Sequence, residues 1–481
     1  MSVDYKLDFT TFKNVINNQL TSTAQTRHSI DPSTEEALPE VPVSTKAEVD
    51  EAIAHARAAF QSWRDVSYDE RAALLLALAD GIEANQQGFV DILIKESGKP
   101  AQTAGIEVAM TLGHLREIAK LRLPDEVIED TDERSVVVRH TPLGVGVGIV
   151  PWNWPLLLGI GKVASALLTG NAFVWKPSPY SPYSALKAVE LAARIFPPGV
   201  LQALSGGDDL GPMLTEHPGV DKVSFTGSTF TGKKVMESCS RTLKRVTLEL
   251  GGNDPAIICD DVDLEKVVPK IGTFAFLSSG QICMDIKRIY VHEKIYDAFR
   301  DALVAFAKAV KTGPASDPEV LVGPIQNSAQ YARVQDMYAE IAKQGWTDAL
   351  AGAAVHERTS TGYFVQPAII DNPPDDSRIV VEEPFGPIVP LLKWSDEQDV
   401  LRRANDTKMG LGASVWSKDL ERAGRMANRL EAGSVWINTH FELAPYVPFG
   451  GHKWSGLGME WGVVGMKGWC NTQSMWTRKA L

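Results

Sequence analysis

Cysteine is scarce in this chain. Only four occur in 481 residues, Cys239, Cys259, Cys283 and Cys470. They are too few and too unevenly spaced for a disulfide framework or a metal cluster, which points to a reducing compartment and no metal site. Positive charge is also in deficit, with 48 Lys and Arg against 60 Asp and Glu and a formal charge of -12. Such a surface repels phosphate backbones and anionic lipid, so neither nucleic acid nor a membrane is an expected partner. Repeats, low-complexity tracts and long linkers are missing, so any domains are interleaved or tightly joined. The opening MSVDYKLDFT has neither an apolar core nor an Arg-rich pattern, and a cytoplasmic location is expected.

Long hydrophobic runs are nearly absent too. Thr141 to Gly161 spans 21 residues without a charge, the length of a membrane span. Within it Gly144, Gly146 and Gly148 alternate with Val145, Val147 and Ile149, and Pro151 and Pro155 interrupt any continuous helix. A strand buried on both faces, then a tight loop, accounts for the same apolarity.

What is present is ordinary globular material, 44% hydrophobic and 22% charged, long enough for two or three domains at about 150 residues each. Thr45 and Glu48 have capping-box spacing ahead of Val49, Ala52, Ile53, Ala56, Phe60 and Trp63, which predicts a surface helix. Residues 67–98 and 101–120 read as further amphipathic helices. From about residue 143, short apolar runs alternate with helical stretches: 143–150, 172–175, 200–204, 222–226 and 245–248 as strands, 155–168 and 182–195 as helices. A second set follows Gly251-Gly252. This alternation predicts parallel sheets covered by helices, with ligands at the carboxyl ends of the strands.

Several segments carry chemistry. Cys283 lies in Ser278-Ser279-Gly280-Gln281-Ile282-Cys283, where small residues allow close approach of a ligand, and an ionised cysteine is a strong nucleophile. Cys239 and Cys259 read as small buried hydrophobes. Glu249, in Leu248-Glu249-Leu250-Gly251-Gly252, is a lone carboxylate among apolar residues; burial would suit it to general-base work, and an ion-paired or capping Glu explains it equally well. Asn153, in Pro151-Trp152-Asn153-Trp154-Pro155, either donates to an oxyanion or closes an Asx-turn. Phe225 to Gly232 reads as a strand-to-helix turn whose amides suit a pyrophosphate. Lys176, in Trp175-Lys176-Pro177-Ser178, meets a ribose or phosphate or is a solvated surface Lys.

Taken in order, PWNWP, WKPS, FTGSTFTG, LELGG, GQIC, EEPFGP and PFGG resemble the NAD(P)-dependent aldehyde dehydrogenase superfamily over about residues 25–475. The resemblance implies an aldehyde dehydrogenase-like α/β fold with three parts. These are a Rossmann-type dinucleotide-binding domain over 1–122 and 142–250, a catalytic domain over 251–450, and an oligomerisation β-arm over 123–141 and 467–481. It implies oxidation of an aldehyde to the carboxylic acid with NAD or NADP, in a homodimer or homotetramer. Cys283 would be the nucleophile, Glu249 the base that hydrolyses a thioester, and Asn153 an oxyanion donor. Trp152, Lys176, Gly227, Ser228, Gly232, Glu383 and Phe385 would hold the dinucleotide. The step of 34 residues from Glu249 to Cys283 matches the family's hydrolytic members.

Two departures from the family pattern matter. Pro179 stands where NAD-preferring relatives often have a ribose-binding Glu, which implies tolerance of NADP. Gly161 falls where some relatives have a large aromatic wall residue, so a pocket of Gly161, Leu158, Ile282, Met284, Leu443 and Tyr446 is expected to be apolar and wide, suited to a hydrophobic or aromatic aldehyde. Ser135 to Arg139, Val-rich and free of Gly and Pro, is expected as an edge strand. The rival readings are a cysteine hydrolase or esterase, and a non-catalytic binding protein on the same fold. No His lies in a comparable motif, which disfavours the first; the three filled catalytic positions disfavour the second.

Overall fold

A computed structural model describes residues 4–350 and 361–479. Residues 1–3 of the expected dinucleotide domain, 351–360 of the expected catalytic segment and 480–481 of the expected arm lie outside the described residues. The first helix, Lys46–Trp63, is started by Thr45 and Glu48 with both halves of the capping box formed. Residues 67–98 are two helices rather than the one expected, Tyr68–Ala84 and Gln86–Ser97. Asn85 breaks the ladder between them. Its amide donates to the carbonyls of Tyr5 and Gly81 at 2.6 and 2.8 Å and accepts from the Leu7 N–H at 3.0 Å, so it serves the N-terminal segment in place of helix continuity.

Eight strands form the first sheet, in the order Gly456–Leu457, Arg245–Glu249, Lys222–Thr226, Val145–Ile149, Ala172–Lys176, Leu201–Ala203, Asn14–Ile16, Gln19–Thr21. The five central strands are parallel, and the outer ones are antiparallel. From Val145–Ile149 the chain builds outward in one direction through Ala172–Lys176 and Leu201–Ala203. It then returns to the other side of Val145–Ile149 with Lys222–Thr226. That reversal is a topological switch point, where the loops leaving two neighbouring strands diverge and open a crevice.

Both faces of this sheet are covered. Phe173, Trp175 and Leu201 pack with the helices Pro155–Leu168 and Tyr183–Ala192 on one side. Val147, Val174, Val223 and Phe225 pack with Val49 and Ile53 of the first helix on the other. Each large apolar side chain so buried contributes about 1.5–3 kcal/mol, which explains why these strands are apolar without alternation.

A second, fully parallel sheet has the order Ala368–Asp371, Ile388–Trp394, Ile286–His292, Asp254–Ile258, Gly412–Trp416, Ser434–Ile437. A third sheet is antiparallel, Cys470–Arg478 beside Arg134–Pro142 beside Glu126–Asp130. Here the expectation for Ser135 to Arg139 is corrected. This segment is the central strand, because the chain terminus pairs along its whole length, and the edges are Glu126–Asp130 and Cys470–Arg478. No helix among the described residues is long and apolar enough to cross a membrane.

Candidate active site

The loop that carries Cys283 is held in an unusual backbone conformation. After the helix Leu264–Phe276, Ser278, Ser279 and Gly280 are all left-handed, with φ of 49°, 62° and 68°. The two serines each cost about 1–2 kcal/mol there, and a side chain at 280 would run into the carbonyl of Gly386. Gln281 offsets the strain. Its Nε2 donates to Ser278 O at 3.0 Å and Pro324 O at 3.3 Å, and its Oε1 accepts from Gln326 N at 3.0 Å. Its own carbonyl accepts from Asn153 Nδ2 at 3.0 Å. The Cys283 loop and the PWNWP loop are thereby joined, and the second N–H of the Asn153 amide is left for another acceptor.

All four cysteines are free, and Cys283 is less covered than the other three. Burial pushes its thiol well above the ordinary range; Lys287 opposes this, while Glu383, Asp254 and Glu249 add to it. Glu249 closes the strand Arg245–Glu249 and is buried, and neither of its oxygens has a hydrogen-bond partner among the described residues. Burial raises its pKa well above the usual carboxylate range, Glu460 raises it further and Lys162 opposes. A carboxyl in that state can take a proton near neutral pH.

Behind Glu249 lies a buried polar group that motif reading did not single out. Lys162 Nζ donates to Ser224 Oγ at 2.8 Å and to Glu460 Oε1 at 3.2 Å, and Ser224 also bonds Glu460. The available signal was Lys162 itself, the first charge after the uncharged run.

Two cavities meet at this point. One is a groove of about 180 Å³ at the switch point, walled by the 151–153 and 226–228 loops and by Gly251, Glu383 and Phe385, and it reaches Cys283. Trp152 and Phe385 stand edge to face across it at 5.4 Å. Ser228 caps the helix Thr229–Ser240 by accepting from Thr231 N, so Gly227 and Ser228 bring a helix N-terminus to the groove. Two expected cofactor residues stand off its wall. Gly232 faces Leu250 inside the first helical turn. Lys176 is buried at its strand end, donating to Pro177 O at 3.3 Å, and burial lowers its pKa to about 8.

The second cavity is a narrow sleeve of about 30 Å³, lined by Asn153, Leu158, Ile282, Cys283, Met284 and Leu443 together with Met110, Trp154, Leu157, Phe441, Phe449 and Trp461. It leads into a mouth of about 1000 Å³ that shares Met110, Trp154, Phe441, Leu443 and Phe449. Two of the expected pocket residues stand elsewhere. Tyr446 is in the outer mouth and exposed. Gly161 lies behind the wall: a methyl group there would come within 2.6 Å of Trp461 Nε1. The room left by the missing aromatic side chain is filled by Trp461, so the expectation of a wide pocket is corrected to a narrow one.

The sequence model of the Aldehyde dehydrogenase family matches residues 20–475. The chain is 42% identical over 473 residues to the putative aldehyde dehydrogenase FUS7 of Gibberella fujikuroi, covering 98% of this chain and 100% of that one. It is 38% identical to a mitochondrial aldehyde dehydrogenase of Leishmania tarentolae, covering 90% of this chain and 88% of that one. Among solved structures, the NAD+ complex of an aldehyde dehydrogenase from Bacillus cereus superposes with a TM-score of 0.93 at 35% identity, over 97% of this chain and 96% of that chain.

Proposed function

The chain belongs to the aldehyde dehydrogenase family, and from that premise we propose that it oxidises apolar aldehydes to carboxylic acids with NAD or NADP through a thioester on Cys283. The observation that carries this reading is that Asn153 and Cys283 line both cavities, so a dinucleotide in the groove and an aldehyde in the sleeve would meet at one sulfur.

The groove fits a dinucleotide. It lies at the switch point, it has a helix N-terminus for the pyrophosphate, and it carries the Glu383 carboxylate for a ribose. Trp152, Gly227, Ser228, Glu383 and Phe385 would hold the cofactor, with Lys176 and Gly232 supporting the strand end and helix turn beneath it. When bound, the nicotinamide supplies the two-electron oxidation that converts a thiohemiacetal to a thioester. Cys283 forms the carbon–sulfur bond. Asn153 Nδ2 and the Cys283 backbone N–H donate to the oxyanion, an interaction worth about 3–4 kcal/mol per donor in such sites. Glu249 takes the proton of a water that attacks the thioester.

Among the described residues the sleeve side chains beyond Asn153 and Cys283 are apolar, and the mouth has no basic side chain and one acidic one, Glu442. This supports a slender apolar group next to the aldehyde and a neutral, bulkier body in the mouth, and it disfavours substrates with a remote carboxylate. Pro179 neither accepts a ribose hydrogen bond nor repels a 2′-phosphate, which supports use of NADP alongside NAD. The free thiols fit a cytoplasmic setting.

A panel of aldehydes assayed with each cofactor by absorbance of the reduced dinucleotide tests the reading. Straight-chain aldehydes and those that carry an aryl group on a short chain are expected to exceed acetaldehyde in kcat/KM, with the two cofactors within about 100-fold of each other, or 2.7 kcal/mol. Preference for acetaldehyde or for an ω-carboxy aldehyde would overturn the substrate assignment.

A further inference from the structure

Under the nucleophile loop lies a buried ammonium group that the mechanism above does not use. Lys287 opens towards the loop from the strand Ile286–His292, and its side chain is only 3% exposed. Its Nζ donates to the carbonyls of Ile282 and Cys283, both at 2.7 Å, and to that of Asp285 at 3.4 Å. The same nitrogen is 3.5 Å from Glu383 Oε1, an oxygen that also accepts from Gly252 N at 3.2 Å. One cation thus touches the backbone of the nucleophile and the carboxylate that walls the dinucleotide groove.

The other charges around it have different duties. Asp285 lies in the same loop and accepts from Ile282 N at 3.1 Å; Asp254 is buried on the neighbouring strand. Glu249, at the end of a first-sheet strand, acts on the thiol through its charge, which raises the thiol pKa. Arg288 points away, donating to Asn253 O at 2.9 Å and Ala404 O at 2.8 Å. Arg333, which also lines the groove, donates to the Glu383 backbone carbonyl at 2.9 Å and not to its carboxylate. His440 is held neutral by burial, which lowers its pKa to about 3, and it bonds Met284 O at 2.8 Å. Lys287 is therefore the cation that holds both the Cys283 backbone and the Glu383 carboxylate.

We propose that Lys287 is a positioning residue for the reaction: it fixes the Ile282–Cys283 carbonyls so that the sulfur faces both cavities, and it shares one buried positive charge between the thiolate and the groove's Glu383. A long buried Lys is a costly choice if only shape were needed, because an apolar side chain could fill the space. Three carbonyl acceptors and an ion pair in one cluster offset that cost. The assignment rests on Cys283 being the nucleophile. It predicts that the reactivity of the thiol responds in opposite directions to the two ends of the shared ion pair. Without the ammonium, the thiolate loses the positive charge that opposes its burial; without the Glu383 charge, it loses a competitor for that cation.

The experiment follows the rate of alkylation of Cys283 by iodoacetamide between pH 6 and 10 on the full-length protein, read by mass on the peptide that carries it; because the thiol titrates above that window, a shift of the midpoint is read as a parallel displacement of the log rate against pH. Lys287→Gln is expected to raise the pH midpoint by about one unit or more, a tenfold loss of thiolate at a given pH, with kcat falling more than KM for NAD changes. Lys287→Arg is expected to bring the midpoint back towards wild type, and Glu383→Gln to lower it. Unshifted midpoints, or lost activity with an unshifted midpoint, would overturn the assignment and leave Lys287 a structural prop. If Lys287→Gln does not fold, the direction of the Glu383→Gln shift decides. Cys283→Ala separates the two levels. Retained oxidation in that variant overturns the nucleophile itself, whereas an inactive Cys283→Ala with unshifted midpoints in the other variants overturns Lys287 alone.

Discussion

Glu249 acquires its chemistry from where it is buried. An ordinary carboxylate is too weak a base for water, but one without hydrogen bonds in a dry site prefers to be protonated and becomes a better base. The sign follows directly. In the proposed mechanism Glu249 must be ionised to act, and its pKa is raised above the usual range by burial and by Glu460. Activity is therefore lost as pH falls through that raised value, and the acid limb of the pH–kcat profile lies above the ordinary carboxylate range. Glu249→Gln is expected to abolish that limb and to lower steady-state turnover by about 10²–10⁴, while a rapid burst of reduced cofactor stoichiometric with enzyme persists. Rapid-mixing absorbance measures both, and a variant without a burst would count against a separate hydrolytic step.

The same scale shows where single-residue reading stops. The GQIC and LELGG motifs point to Cys283 and Glu249 because both are anomalies in their neighbourhood: small polar residues around a thiol, apolar residues around a carboxylate. Trp461 is no anomaly in its own segment. It becomes a wall only because it lies on Gly161, 300 positions earlier in the chain. Lys287 likewise looks like one of many lysines until the strand that carries it is packed under the loop.

At the scale of elements, the periodic and capped segments were legible. Thr45 and Glu48 begin a helix where the capping box places it. The Asn85 break was not legible, because an amide that bonds to a chain segment 80 residues away leaves no local pattern. A related case is open to test. Glu96, near the end of the helix Gln86–Ser97, accepts from the N–H groups of Tyr183 and Ser184 at 2.7 and 3.2 Å and so caps a different helix, Tyr183–Ala192. Burial raises its pKa to about 7. A carboxyl raised in the folded state stabilises fully below its unfolded pKa, and that contribution is lost as pH rises through about 7. Glu96→Ala is expected to cost about 2–3 kcal/mol at pH 5 by leaving the helix amides unpaired, with a smaller gap from wild type at pH 8. Thermal unfolding at both values checks this; an equal gap would mean that Glu96 is not protonated in the fold.

For the whole molecule, the three-stranded sheet is the feature that asks for a partner. Val127, Ile128, Met475 and Trp476 are exposed on it, and among the described residues its two outer strands have unpaired edges. This supports the reading of the sheet as an arm that joins copies of the chain into a dimer or tetramer. Deleting residues 470–481 removes one edge strand and is expected to reduce the assembly to a smaller species. Light scattering coupled to size exclusion measures the mass, and an unchanged mass would remove the arm from the interface.

The chain by itself determined most of which stretches would be helix or strand, that its two large sheets would be built on buried parallel strands, and which side chains were chemically out of place. Those are local properties, set by hydrophobic period, caps and breakers within a few residues. Only the packed fold decided the width of the sleeve, the central position of 134–142 in its sheet, the Lys162–Ser224–Glu460 group and the seat of Lys287. Each depends on a residue distant in sequence occupying space or supplying charge, and close packing makes that a property of the assembled core rather than of any segment.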